Sequence, residues 1–533
     1  MADAATTPLL TSHEAKPAKA LSIDDAIETY IGATGARQLL TAMLLAFAWA
    51  FEAQQVFMPV FTDAEPTWHC TGVAAAVGSD PCSPAAASAS ASPCALPPGT
   101  WEWDRPAETS VVSEWALKCG GGGPALVSLP ASSFFAGNLA GGFLLTTLAD
   151  THLGCRKMLV LSLATMSVAG VLTAFSPNVW VYAALRFVCG FGSSSGSGGA
   201  TQSVAGFVFF SVGFMSLPAL AYTLREASWR IMYLWTSLPS LCYAVLLYFL
   251  VQESPRWLLV RGRKQEAIEA LRQIASLNGG EGATTSSFSM LDACALEVGD
   301  GVAGGDGMFA SLRLIWERRW AFQRLAAMMT ASFGVGVVYY GLPLSVGSLS
   351  SDLYLSVAYN AAAELPSSVL SWLLMGRFNR RSSVVALTTA SGLCSLACVV
   401  IPDEEAGTGG LHLAAELSSF FASCAAYDVM LMYSIELFPT SVRNSAVGLV
   451  RKAAVLSGVV APMLVALGRE RSYWSFGVFG LAVGCLGLFV TCLPETKRRR
   501  LSDTMEEEEE AAAAAAILSC AGSSDMNNNG ELV

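Results

Sequence analysis

Long apolar runs separated by short polar segments set the pattern of this chain. A helix needs about 20 apolar residues to cross the hydrocarbon core of a bilayer. Twelve runs meet or approach that length, near residues 38–58, 124–148, 158–176, 179–199, 204–224, 230–251, 324–346, 353–375, 382–401, 411–433, 445–467 and 472–493. The pattern predicts an all-α membrane protein of twelve transmembrane helices in two six-helix bundles. Two long interruptions punctuate it. Residues 61–119 are rich in Ala, Ser, Pro and Cys; residues 252–323 open on the helical pattern RKQEAIEALRQIASL and run into NGGEGATTSS. The expected organisation is an N-terminal tail (1–36), a first bundle (37–251) with an outer loop (61–119), a linker (252–323), a second bundle (324–493) and an acidic tail (494–533). Between the fourth and fifth runs stands only GFGSSSGSGGATQSVAGF, without a charge. A very tight turn or a truncated span is expected there.

Composition sharpens this picture. Of the residues, 53% are hydrophobic and 14% charged, and mean hydropathy is +0.49; soluble domains carry about a quarter charged residues. Basic residues orient the spans, because cytoplasmic loops of membrane proteins hold an excess of Lys and Arg. With both termini cytoplasmic, the inner segments hold Arg156, Arg256, Arg318, Arg324, Arg377, Arg380, Arg443, Arg451 and Lys452 among others, and the outer ones only Arg105, Lys118, Arg225, Arg230, Arg469 and Arg471. The membrane itself, plasma or vacuolar, is left open. Much of the net charge of −11 lies in Glu506 to Glu510, expected to be part of a solvated, partly helical tail. No basic patch interleaved with aromatics occurs, so nucleic acid is not an expected partner. The polar N-terminus lacks the basic-then-apolar order of a cleaved signal peptide. Gly120 to Gly123 lack the Lys-Ser/Thr of a phosphate loop, and no metal-ligand spacing is present, so neither cofactor nor metal is expected. Cys70, Cys82, Cys94 and Cys119 fall in the outer loop, and two disulfides with three possible connectivities are expected from them.

Acid, proline and base recur at matching places in the two halves. LADTHLGCRK follows the second run and MGRFNRRS the eighth; ESPRW follows the sixth and LPETKRRR the twelfth. Parallel six-span repeats are one transporter plan. These segments, with Arg186…Gly190 and Glu436-Leu-Phe-Pro-Thr-Ser-Val-Arg443-Asn, resemble the major facilitator superfamily. WAFEAQQVFMPVFTDAEPTWHC, VVYYGLPL and YLSVAYNAAAELPSS are similar to plant members of its organic cation/carnitine transporter group. The resemblance implies alternating-access transport of organic cations or carnitine-like solutes, driven by membrane potential or protons. It also implies that Asp150, Arg156, Glu253, Arg256, Arg377, Glu436, Arg443 and Glu495 form interhelical ion pairs that close the inner face. Three departures stand out: Cys155 replaces an expected arginine, the charged segment after the fourth span is missing, and span 11 is apolar near Val455 where many animal members carry a charge. A sugar or polyol porter is the other transport reading, and a transport-impaired receptor or scaffold the reading outside transport.

A carboxylate inside a span is costly and ordinarily faces a cavity, a partner or a substrate path. Glu52, Glu364 and Asp428 are such acids and are the expected cation or proton sites. A quaternary ammonium donates no N–H, so it is held by a carboxylate's field and by aromatic faces, about 0.5–2 kcal/mol each. Trp49, Phe51, Tyr339, Tyr340, Trp372 and Tyr427 are the candidate faces, and the resemblance places Tyr339 and Glu364 near the cation path. Arg186 reads as structural, and as a weaker candidate for a substrate carboxylate.

Overall fold

The computed structural model describes residues 36–71, 101–118, 123–148, 154–194, 204–253, 257–258, 263, 265–267, 269–270, 308–345, 352–401, 409–468, 472–497 and 502–510. Twelve helices of 15 to 29 residues stand among them: α1 Ala36–Phe57, α2 Gly123–Leu148, α3 Cys155–Thr173, α4 Val179–Ser193, α5 Val204–Thr223, α6 Trp229–Leu250, α7 Arg319–Ser345, α8 Leu353–Arg377, α9 Arg380–Val400, α10 Gly409–Leu437, α11 Thr440–Gly468 and α12 Ser472–Gly487. Among the described residues nine helices are long and apolar enough to cross a membrane, and α4 is apolar but shorter. Polar caps mark several starts. Asn178 accepts from the Val181 amide at 3.0 Å and Asp352 from that of Tyr354 at 3.0 Å, which satisfies donors a helix leaves open. Prolines sit inside α2, α5, α6, α7, α8 and α11, a placement that neighbouring helices make tolerable in lipid.

The chain divides into two units, Met1–Thr41 with Gln252–Gly305 and Ala42–Val251 with Asp306–Val533. In the smaller, Arg263 pairs with Glu266 at 2.7 Å and Ala267 is buried with Leu258. The larger holds the helix assembly. In its first half α4 packs on α2 and α3, and α3 on α6; in its second half α10 packs on α8 and α9, and α9 on α12. Each pairing maps onto the other when six is added to the helix number. Contacts between halves obey the same rule: α2 meets α11 and α5 meets α8. Described lengths differ most on either side of residues 195–203, which lie outside the described residues. α4 has 15 residues against 29 in α10, and α5 has 20 against 29 in α11. At 1.5 Å per residue, α4 is about 22 Å long, below the roughly 30 Å of a hydrocarbon core.

A two-stranded antiparallel ribbon pairs β1 Trp68–Cys70 with β2 Trp101–Trp103, Trp68 opposite Trp103. Nearby, Tyr354 at the start of α8 accepts a hydrogen bond from Arg105 at 2.8 Å, stacks on Phe61 and meets Tyr222 of α5 edge-on. Both halves are therefore joined at the ribbon end. Cys82, Cys94 and Cys119 lie outside the described residues, as does the side chain of Cys70.

The second half carries two further helical pieces, and one expectation needs correction. Within the stretch 252–323, Met308–Glu317 is a helix, with Ile315 buried and Trp316 74% exposed. The acid run is not solvated as a whole. Residues 505–510 are helical, Met505 is buried, and Glu506, Glu508 and Glu509 bond to Arg318, Arg324 and Trp320. Excess acid on one segment and unpaired arginines on another attract when the fold brings them close.

Candidate functional site

All five residues expected at the site line one cavity. Glu52 comes from α1, Tyr339 and Tyr340 from α7, Glu364 from α8 and Asp428 from α10. Phe134, Phe135 and Asn138 of α2, Phe207, Phe210 and Ser211 of α5, and Arg451 of α11 complete much of the wall. About 790 Å³ lies free of protein atoms, counting the open mouth. Both halves contribute, but unevenly: α10 supplies Cys424, Tyr427, Asp428 and Leu431, and its repeat partner, the short α4, supplies nothing.

The acids are held in defined ways. Tyr339 donates to Glu364 Oε1 at 2.6 Å. Glu364 Oε2 is buried and makes no hydrogen bond of standard geometry; the Ser211 hydroxyl approaches it from α5. Ser368, one turn along α8, donates to Asp428 at 2.9 Å. Tyr339 stacks on Tyr427 and Phe420 at 5.5 and 5.9 Å, and Tyr340 leans on Phe135 at 4.7 Å. A carboxylate with a spare lone pair beside an aromatic wall is the chemistry that suits an alkylammonium group.

Other candidates are placed elsewhere. Trp372 is 69% exposed and faces outward, away from the cavity. Arg186 is fully buried, donates to the Gln55 carbonyl at 3.0 Å, and lies 4.5 Å from the Phe134 ring centre. With Gln55 also reaching Thr236 and Ser237, it ties α1, α4 and α6 together and stays outside the cavity wall. The charge set is only partly assembled. Arg380 pairs with Glu436 at 2.9 Å, Thr496 donates to Glu436 at 2.7 Å, and Glu495 accepts from the amides of Arg380 and Arg381. Arg443 donates to the Phe438 carbonyl, Arg156 to that of Tyr248, and the Arg377 side chain is exposed with its carbonyl accepting from Lys497. These bonds join elements within one half. Glu253 is half-buried in the smaller unit, and Asp150 and Arg256 lie outside the described residues.

Sequence reasoning missed two charges inside the helix assembly, the half-buried Arg451 and the buried Glu416. Arg451, counted among inner cations that orient the chain, projects into the cavity wall 4.8 Å from the Trp49 ring centre, and among the described residues no acid lies within ion-pair distance of it. Glu416 of α10 is fully buried and accepts from Asn360 of α8 at 3.0 Å. Both fall inside predicted spans, so the cost of a charge in hydrocarbon was the signal that marks them.

Comparison with known proteins fits this geometry. The sequence profile of the family described as "Sugar (and other) transporter" matches residues 117–208 and 201–507. Organic cation/carnitine transporter 2 of Arabidopsis thaliana is 44% identical over 520 residues, covering 94% of this chain and 96% of its own. Organic cation/carnitine transporter 3 of the same plant is 43% identical over 523 residues, at 95% and 97% coverage. Among solved structures, the inward open xylose transporter XylE from E. coli superposes with a TM-score of 0.57 over 89% of this chain and 98% of its own; at 17% identity this likeness speaks for the fold alone. The repeated helix pairing, the cavity between halves and the end-to-end similarity converge: the chain belongs to the organic cation/carnitine transporters of the major facilitator superfamily, a family of membrane transporters and not of enzymes.

Proposed function

We propose that this chain carries an organic cation or a carnitine-like zwitterion across a membrane by alternating access, with Glu364 and Asp428 attracting the ammonium group and Tyr339, Tyr340 and Tyr427 supplying its aromatic walls. The observation that carries the reading is the buried Glu364 carboxylate in the cavity wall, oriented by Tyr339 at 2.6 Å beside Asp428 and the aromatic faces. All twelve helices span the bilayer in this reading, in two bundles of six, and both termini face the cytoplasm. The membrane potential alone is a sufficient energy source, since one charge through 100 mV corresponds to about 2.3 kcal/mol. If a proton is coupled, Glu52, Glu364 or Asp428 carries it. Ion pairs such as Arg380–Glu436 then bias one end of the conformational cycle; an exposed pair contributes about 0–1 kcal/mol, so the set acts together.

The deciding measurement is uptake into vesicles of labelled tetraalkylammonium, carnitine and a pentose, at two pH values and two potentials. Ammonium flux that rises with an inside-negative potential supports the reading. Pentose flux alone would replace it with a sugar porter. No flux at all would favour a transport-impaired scaffold, the reading to which the short α4 points.

Arg451 adds an expected selectivity. A guanidinium in the wall that makes no contact ion pair among the described residues, with Glu52 as its acidic electrostatic partner, suits the carboxylate end of a zwitterion, while Glu364 and Asp428 take its ammonium end. Charge-assisted hydrogen bonds contribute about 1.5–3 kcal/mol. The Arg451→Gln variant is therefore expected to raise KM for carnitine by at least roughly tenfold, with tetraalkylammonium uptake little changed. An equal loss for both solutes would assign Arg451 to packing against Trp49.

A further inference from the structure

The sequence Arg498-Arg-Arg-Leu-Ser502 places two arginines two and three residues before a serine, directly ahead of the acid run. In the fold that serine is part of a clasp. Ser502 Oγ donates to Glu508 at 2.8 Å, and Glu508 pairs with Arg324 at 2.9 Å, both partners of the pair being only 14% exposed. Glu506 reaches Arg318 at 2.8 Å, Glu509 bonds to Arg318 and to Trp320, and the Thr440 amide donates to the Ser502 carbonyl at 3.2 Å. The acidic helix thus fastens the start of α7 to the start of α11.

We propose that Ser502 is a phosphorylation site whose modification releases this clasp. A serine/threonine kinase that prefers basic residues before its target would transfer the γ-phosphoryl group of ATP. The Ser502 Oγ–P bond forms, the bond from the γ-phosphorus to the bridging oxygen breaks, ADP leaves, and the hydroxyl proton passes to the kinase's base. A phosphate carries about −1.5 to −2 charges at neutral pH. Ser502 is 8% exposed and bonded directly to a carboxylate. There the phosphate replaces a donated hydrogen bond by like-charge repulsion and has no room to turn away. The Glu509 bonds to Arg318 and Trp320 are not released by protons near neutrality. Arg318 first, then Trp320, hold Glu509 below the ordinary carboxylate range. Its contribution to the clasp is complete above the ordinary value and fades only as pH falls through the lowered one. In the cell the proposal needs the C-terminus to face the cytoplasm; it does not need the substrate assigned above.

The test uses the full chain in detergent, where sidedness does not enter. Purified protein is treated with a basic-directed kinase and Mg-ATP, the phosphosite is mapped by mass spectrometry, and cleavage within Glu506 to Glu510 by a glutamate-specific protease is timed by mass spectrometry of the new N-termini it creates at residues 507 to 511, which cleavage at Glu531 does not produce. Incorporation at Ser502 and roughly tenfold faster cleavage are expected, with no kinase effect in Ser502→Ala and the fast rate built into Ser502→Asp. Glu508→Gln, which removes the Arg324 partner without a kinase, calibrates the released rate. No incorporation at Ser502, or incorporation with an unchanged or slower cleavage rate, overturns the proposal.

Discussion

Uptake of a labelled organic cation is expected to fall to background in the Glu364→Gln variant, while the protein still reaches the membrane. The exchange is close to isosteric, and the amide oxygen still accepts from the Tyr339 hydroxyl that holds the native side chain at 2.6 Å. What disappears is the charge. Two opposite charges about 4 Å apart at an effective dielectric near 20 attract by about 4 kcal/mol, which corresponds to roughly a thousandfold in affinity. Asp428 remains in the cavity but is already engaged by Ser368, so Asp428→Asn is expected to cost less than Glu364→Gln. Tyr339→Phe should be milder still, because it loosens the carboxylate without neutralising it. Surface labelling separates a transport defect from a folding defect. Normal flux in Glu364→Gln, at normal surface abundance, would move the cation site elsewhere in the wall.

The comparison of sequence with structure divides along physical lines. Span positions are legible because hydrocarbon demands apolar length, and nine of the twelve predicted runs end within a few residues of their helices. α12, predicted to residue 493, ends at Gly487 and continues as a 3-10 helix over Leu488–Cys492. α4 is another of the three exceptions: the run predicts it to residue 199, and its helix is described to Ser193, where the Gly/Ser run begins. Glycine and serine contribute little to helix propagation. α10 was read to residue 433 and continues to Leu437, because Glu436 is neutralised by Arg380 rather than left to end the helix. The acids of the cavity were legible for the same reason as the spans, since a carboxylate in a span requires explanation. Arg451 is not, because membrane orientation by itself explains an arginine near a span end. The clasp was invisible for another reason. Arg318 and Glu506 are 188 residues apart, and no local periodicity records a contact at that separation.

Gly190→Ala is expected to destabilise the protein more than any other single methyl group added in the first half. α2 and α4 cross where Gly137 and Gly141 of one face Gly190 of the other, a small-residue spacing that lets helix backbones approach. A Cβ on Gly190 would stand 1.9 Å from the Phe134 carbonyl oxygen and 2.7 Å from its carbon; one on Gly137 would stand 2.0 Å from the Phe187 oxygen. These neighbours are backbone, so neither can rotate away, and the helices must separate. Overpacking a close-packed core typically costs about 1–3 kcal/mol and sometimes more. The strain does not stay local. Phe134 also receives Arg186 on its ring, and Phe134, Phe135 and Asn138 form the α2 wall of the cavity. Gly190→Ala should therefore lower both the melting temperature in detergent and cation uptake, whereas Glu364→Gln should lower uptake alone. Gly448→Ala is the matched control, since nothing lies within 4 Å of its added carbon, and it should melt like the parent. An unchanged melting temperature in Gly190→Ala would mean that α2 and α4 do not cross this closely, and the cavity wall built on that crossing would have to be redrawn.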